Sequence, residues 1–338
     1  MRAILFVLFL SMLLPQATPA GEWVRSGINT NQPVWGVRGG LLWAIEPGGF
    51  RAQSEPRGLI RLGYPILSNG NYDLVNFIAI EPIVKGQKAF SELEHSRLDN
   101  RQGKRLWGSE TQKEGSTNLW PGKLSTLSNG VEQLEVKVHV EPFDNGANVY
   151  LLISQRSDTP DEITLTIHSE TNSAAMDYCI LTATMGNMAR TRELWLNDEM
   201  TNSLHLYPDY KGSNFTLHTI YPLDRLWRTA SGDVLVAVTT DEDEPHTVFP
   251  FPGTFRWHYG GYKVTQFWKK PQGAFRKDLH TAVNARFTYW KRVQPIPGGI
   301  SFENFELRER FYEGQQFVFG ITRKTPAELG FKKSVSSP

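Results

Sequence analysis

A chain of 338 residues with 36 Lys plus Arg against 35 Asp plus Glu has no global field to gather nucleic acid, so electrostatic recognition has to be local. A single cysteine, Cys179, excludes an intrachain disulfide framework and a thiolate zinc site. Ten Trp, eleven Tyr and nineteen Phe leave a large aromatic core as the source of stability.

Residues 1–20 read as an export leader. Arg2 precedes an apolar run from 3 to 14 broken only by Ser11, and Pro15, Ala17, Thr18 and Ala20 follow as a small-residue cleavage region. The run is shorter than the roughly 20 apolar residues of a membrane helix. The expectation is a secreted or periplasmic protein that begins near Gly21 and has no membrane span.

The chain then reads as strands. Residues 41–45 (LLWAI), 59–64 and 74–83 are apolar runs bounded by turn residues. Residues 89–98 suit a short helix or an ordered loop, and 107–120 an extended loop. From Leu134 the alternation is plain: Leu134, Val136, Val138 and Val140 interleave with Glu135, Lys137, His139 and Glu141. Strands at 149–153 and 163–167 continue the series across Asp-Asn-Gly and Asp-Thr-Pro-Asp turns. Cys179 lies in an apolar run and reads as a buried, inert thiol. A helical turn or two fits 187–196, and further strands fall at 215–220, 234–239, 302–311 and 316–322. Residues 332–338 form a polar tail expected to be disordered. Frequent turns, no long 3.6-residue period and no internal repeat predict an all-β chain, a single large antiparallel β-sandwich over 21–331.

The densest cluster of candidate side chains lies in 254–292. Gly260 and Gly261 sit between aromatic and β-branched runs, a hairpin signature. Alternation then places Phe255, Trp257, Tyr259, Tyr262 and Val264 on one face, and Arg256, His258, Lys263 and Thr265 on the other. The next run sets Thr281, Val283, Ala285, Phe287 and Tyr289 against His280, Asn284 and Arg286, with Trp290 falling on the His280 side. These runs put no carboxylate among the cations, whereas a merely soluble face mixes both signs. The surface suits the carboxylate of a uronic acid, and hence an acidic polysaccharide or oligosaccharide partner. The corresponding reaction is β-elimination, with His258 or His280 as base. A solvated outer sheet face explains the same charges without function.

Hydrolysis requires paired carboxylates instead. Glu306 is one candidate, and Glu46 or Glu81 would supply the second. Arg190 and Arg192 beside Trp195 suit a sugar-lining position or, more commonly, a structural clamp. A non-catalytic carbohydrate-binding protein would use Trp257, Trp268 and Trp290 as stacking platforms. The Asp241-Glu-Asp-Glu run is read as a solvated turn, and no histidine spacing suggests a metal, so neither metal nor cofactor is expected.

The stretch Gly39-Gly-Leu-Leu-Trp-Ala-Ile-Glu-Pro-Gly-Gly-Phe is similar to the first hairpin of galactose-mutarotase-like β-sandwich domains. The run Glu303-Asn-Phe-Glu-Leu-Arg-Glu-Arg-Phe-Tyr-Glu-Gly-Gln-Gln-Phe-Val-Phe-Gly-Ile resembles their last strands, where a glutamate-bearing strand passes through a glycine turn to an apolar terminal strand. The resemblance implies a supersandwich, a carbohydrate ligand, and a C-terminal glutamate acting as base with a histidine as acid. Alternation within 302–311 favours Glu306 over Glu303 for that position. No Asn-Gly-His context surrounds a histidine, so the resemblance narrows the ligand class without choosing among epimerase, hydrolase and lyase.

Overall fold

Alternating burial builds the molecule. In the strands Glu132–Val140, Val149–Arg156 and Glu162–Ser169, apolar side chains turn inward at every second residue. Antiparallel register aligns Val138 with Leu151 and Leu151 with Ile167, so three strands present one continuous apolar face. The computed structural model describes residues 22–45, 57–66, 70–111, 119–184, 186–241, 249–250, 258–259, 263–290 and 293–332. Within them two large antiparallel sheets pack as a sandwich. The described helices are one four-residue turn, Ser203–Leu206, and two 3-10 turns, Gly186–Ala189 and Leu223–Arg225. No helix among the described residues is long and apolar enough to cross a membrane.

The first sheet runs in the order Trp23–Val24, Val34–Val37, Leu42–Ala44, Leu59–Tyr64, Asp73–Val84, Tyr178–Thr184, Ser301–Arg308, His280–Arg286, Thr219–Pro222. The second runs Glu199–Asn202, Glu193–Leu196, Val234–Thr239, Thr265–Lys270, Gln315–Thr322, Glu162–Ser169, Val149–Arg156, Glu132–Val140, Leu106–Gly108. One apolar cluster draws on both sheets, from Trp35 and Trp43 through Ile78 and Val136 to Trp268 and Phe319. Trp35 and Trp43 stack at 4.6 Å between ring centres. Trp268 sits edge-on to Phe319, and its indole N–H donates to the Phe305 carbonyl of the facing sheet at 2.8 Å. A fully buried Trp268 is core, which removes it from the list of stacking platforms. Cys179 is also buried, and burial together with the Glu81 charge pushes its thiol up to about 12, as an inert thiol requires.

Two departures from the simple strand reading matter for the site. The last long strand of the first sheet is Ser301–Arg308, and both Phe302 and Phe305 point into the core. Strict alternation forbids that, since the two are an odd number of residues apart. A register shift between Asn284 and Ala285 supplies the extra residue. Residues 89–104 adopt the ordered-loop alternative. Ser91 Oγ donates to the Gly58 carbonyl at 2.5 Å and accepts the Ile80 N–H at 2.9 Å. Lys104, fully buried, pairs with Glu94 and Asp144, each at 3.1 Å.

Candidate functional site

Four neighbouring strands of the first sheet form the floor of the site. Ile78, Ile80, Leu181, Ala183, Val283, Phe305 and Leu307 are buried in the core. Alternation therefore turns Ala79, Glu81, Thr182, Thr184, Asn284, Asn304, Glu306 and Arg308 to the opposite face. Register aligns Ala79, Thr182, Glu306 and Ala282 in one row across the sheet, and Asn304 with Asn284 in the next.

Glu306 is the best-held polar group on this face, with its side chain 1% exposed. Arg308 Nε donates to Glu306 Oε1 at 2.7 Å, and its Nη2 donates to the same oxygen. His218 Nε2 lies 3.3 Å from that oxygen. Two donors also approach His218 Nε2: Arg308 Nη2 at 3.1 Å and Asn284 Nδ2 at 3.3 Å. The Asn284 amide is oriented by the Asn304 N–H, which donates to its Oδ1 at 3.1 Å. His218 Nε2 thus keeps a partner in either state, accepting from Arg308 and Asn284 when bare and donating to Glu306 when protonated.

The carboxylates here are pushed in opposite directions. Burial alone would raise the Glu306 carboxyl, but the His218 hydrogen bond and the Arg308 charge prevail and hold it below its ordinary value. Burial pushes Glu81 well above the ordinary range, and the Glu306 and Glu92 charges add to this against Arg308 and Lys88. Burial also lifts Glu92 to about 7. Its Oε2 has no hydrogen-bond partner among the described residues.

A cavity of about 370 Å³ opens over this floor. Glu81, Glu92, His218, Arg308, Asn284 and Asn304 line it, and Glu306 lies behind His218 and Arg308. Lys88, Phe90 and Leu93 form one wall, Phe215 to His218 the other, and Trp290 joins them. The first wall depends on Gly58. Its φ is +74°, and a Cβ there would lie 1.8 Å from the Ser91 carbonyl oxygen. Gly58→Ala is expected to cost more than about 1–3 kcal/mol, the usual scale of backbone strain, and to displace the loop carrying Phe90 and Glu92. Thermal melts and ligand binding measured side by side would check this.

The residues proposed from sequence do not form one surface. Thr265–Lys270 joins Val234–Thr239 and Gln315–Thr322, whereas His280–Arg286 joins Thr219–Pro222 and Ser301–Arg308. Lys263 accordingly sits at a separate small cavity with Glu193, Asp241, Arg323 and Lys324. Arg256 and the Gly260–Gly261 turn lie outside the described residues. His258–Tyr259 pairs with Phe249–Pro250 in a ladder of its own, and the His258 side chain is outside the described set. His280 faces Arg308 in register, but its Nδ1 is 2.9 Å from the Asp278 carbonyl and it does not line the cavity. Arg286 is buried, donating to the carbonyls of Ser213 and Thr288. Arg190 is buried with a φ of +47°, and Arg192 is a clamp on Asp241 and the Ile300 carbonyl. Glu306, Asn284 and Trp290 are the proposed residues that meet at the cavity, with Glu81 from the hydrolytic pair. His218, Glu92 and Asn304 are not singled out by sequence: His218 lies in the run read as a strand at 215–220, Glu92 in the segment read as a short helix or ordered loop, and Asn304 on the polar face of 302–311, and none of these patterns marks a site. Among the described residues no group of three or more His, Cys, Asp or Glu side chains is placed to hold a metal ion.

No protein-family model and no curated protein matches the chain. Among solved structures it is similar to the galactosidase domain of alpha-galactosidase-sucrose kinase, AgaSK, with 9% identity and a TM-score of 0.39. That match covers 91% of this chain and 42% of the AgaSK chain, so this chain spans less than half the length of that one. A second structure, described as a crystal structure analysis of HI1317, has 12% identity and a TM-score of 0.22, covering 91% of this chain and 97% of that one. Likenesses this loose name neither a reaction nor a ligand, and both have to come from the cavity itself.

Proposed function

We propose that the chain is a carbohydrate-active enzyme that hydrolyses a glycosidic bond by acid–base chemistry. The observation that carries this is the meeting, at one small cavity, of Glu81, whose carboxyl burial pushes well above the ordinary range, with His218 backed by the Glu306 carboxylate 3.3 Å from its Nε2. Glu81, with its raised pKa, is the group to donate a proton to the departing oxygen. His218 takes a proton from the attacking water, and Glu306 behind it orients the ring and stabilises the imidazolium. Asn284, Asn304 and Thr184 offer amide and hydroxyl partners to sugar hydroxyls, and Trp290 an aromatic face. At about 370 Å³ the cavity is at the small end of ligand pockets, which suits the terminal sugar of a glycoside better than an internal stretch of polysaccharide.

A neutral sugar fits better than a uronate. Glu81, Glu92 and Glu306 meet Lys88 and Arg308 here, and Arg308 is tied to Glu306, leaving little cationic character for a sugar carboxylate. The β-elimination reading needs a surface without carboxylates, whereas neighbouring strands bring Glu81 and Glu306 here and the loop over them brings Glu92. A panel of nitrophenyl glycosides, assayed with the native chain and with Glu81→Gln and His218→Ala, tests the proposal. Release of nitrophenol that each substitution lowers by about 10²–10⁴-fold is the expected result. Absence of release, or release indifferent to both, would sink it.

The carboxylate environment sets a pH dependence with a definite sign. Glu81 has to be protonated to act, so activity falls as pH rises through its raised pKa. The Glu92 charge helps to keep it raised, so Glu92→Gln is expected to move the alkaline limb of the profile to lower pH. The same shift bears on stability. An acid whose folded-state pKa is raised contributes stability below its unfolded value, and that contribution is lost as pH rises through the folded value. Glu81→Gln is therefore expected to be more heat-stable than the native chain at alkaline pH while losing activity. Melts across pH together with rate profiles check both statements.

A further inference from the structure

We infer that the mouth of this cavity binds an apolar aglycone, so that the substrate is an amphipathic glycoside with its sugar on the polar floor and an alkyl or aryl group on the rim. This rests on the carbohydrate reading above and specifies its substrate class. Three large apolar side chains line the cavity yet face water: Leu93 at 42%, Phe215 at 42% and Leu217 at 89% exposed. Seven large apolar residues are at least this exposed among the described residues, and three of them gather at one opening. Single exposed leucines are ordinary, whereas a cluster rimming a polar pocket marks a contact surface.

The rim is held out rather than merely loose. Thr216 N–H donates to the Ala285 carbonyl at 2.9 Å, and the Ala285 N–H donates to Thr216 Oγ1 at 2.9 Å. On the next residue, the Leu217 carbonyl lies 3.2 Å from Tyr207 Oη, which is also 3.1 Å from the Val283 carbonyl and 2.9 Å from Thr219 Oγ1. Tyr210 Oη donates to the Asn214 carbonyl at 2.8 Å. The Arg286 guanidinium lies 5.0 Å over the Phe215 ring, and its Nη2 donates to the Ser213 carbonyl at 2.6 Å. The backbone of 213–219 is thus tied to the sheet along its length, and it presents Phe215 and Leu217 outward from a fixed frame. Leu93 stands on the opposite wall, on the loop that Ser91 pins to Gly58. A preformed apolar lip continuous with a polar floor matches a ligand that is polar at one end and apolar at the other.

The test is calorimetric binding of methyl and hexyl glycosides of glucose, galactose and mannose, with 1-hexanol alongside, to the native chain and to Leu217→Asp. Each buried methylene tightens binding roughly fourfold at most, so the hexyl compound of the accepted sugar is expected to bind at least about tenfold more tightly than its methyl partner. In Leu217→Asp that ratio is expected to fall towards one. Equal binding of methyl and hexyl compounds, where sugar identity does matter, would overturn the aglycone site and keep the carbohydrate reading. A Leu217-dependent hexyl advantage indifferent to the sugar, and matched by hexanol, would keep the apolar subsite and overturn the carbohydrate reading. No binding of any compound, or self-association of the native chain that Leu217→Asp abolishes, would overturn the proposal.

Discussion

Glu306→Gln is expected to lower kcat by about 10²–10⁴-fold, the usual range for removing the function of a general base, with a much smaller change in KM. The side chain lies behind His218 and Arg308 and does not line the cavity, so substrate binding has little reason to depend on it. What it supplies is an ionised acceptor for the His218 Nε2–H, which leaves the other ring nitrogen to take the proton from water, and glutamine supplies an amide without the charge. A purely structural role would also predict some loss, since Arg308 keeps its charge with only 14% of its side chain exposed. The double variant separates the two accounts. If His218 and Glu306 act as one unit, adding Glu306→Gln to His218→Ala costs little further activity, because the unit is already broken. If Glu306 only holds the sheet together, the two losses multiply and the melting temperature of each variant falls in step.

Much of this floor is legible in the sequence. Alternation in 134–140 gave the strand and its buried face, and alternation in 302–311 turned Glu306 and Arg308 away from Phe305 and Leu307 as found. It failed at Phe302, where the bulge opposite Asn284 adds a residue that no period reveals. The grouping of Lys263 with His280 failed for a different reason. Adjacency in sequence does not carry over to space here, because Thr265–Lys270 and His280–Arg286 belong to opposite sheets. The absence of carboxylates in those runs is local, since Glu81 and Glu92 line the cavity from other elements and Glu306 stands behind His218. The two walls were the least legible part. Ser91 on Gly58 and Thr216 on Ala285 are contacts between residues far apart in the chain, and the local patterns of 89–98 and 215–220 do not place those segments against the sheet.

The buried face of Thr265–Lys270 makes a second demand on the sequence, and it carries the largest expected effect on stability. Gln266, Trp268 and Lys270 all point between the sheets and all are fully buried. Each meets a polar partner. Gln266 Oε1 accepts from Asn76 Nδ2 at 2.7 Å, the Trp268 N–H reaches the Phe305 carbonyl, and Lys270 Nζ pairs with Glu309. Glu309 also accepts Gln315 Nε2 at 3.0 Å and the Arg276 N–H at 2.6 Å, and Lys270 Nζ lies 4.0 Å from the centre of the Phe317 ring. Burial pulls the Lys270 ammonium down to about 8 although Glu309 opposes it, so desolvation is the larger force on this group. Lys270→Met keeps the length and the contact with Phe317 but leaves the Glu309 carboxylate buried opposite an apolar chain. The expected loss is about 3–5 kcal/mol in a denaturant melt, the usual cost of orphaning one member of a buried pair. Lys270→Met with Glu309→Gln removes both charges and keeps an acceptor for the Arg276 N–H, so most of that loss should return. Recovery would mean that the pair fixes how the two sheets meet while adding little net stability of its own. A double variant as weak as Lys270→Met would mean instead that the ion pair itself holds this end of the sandwich together.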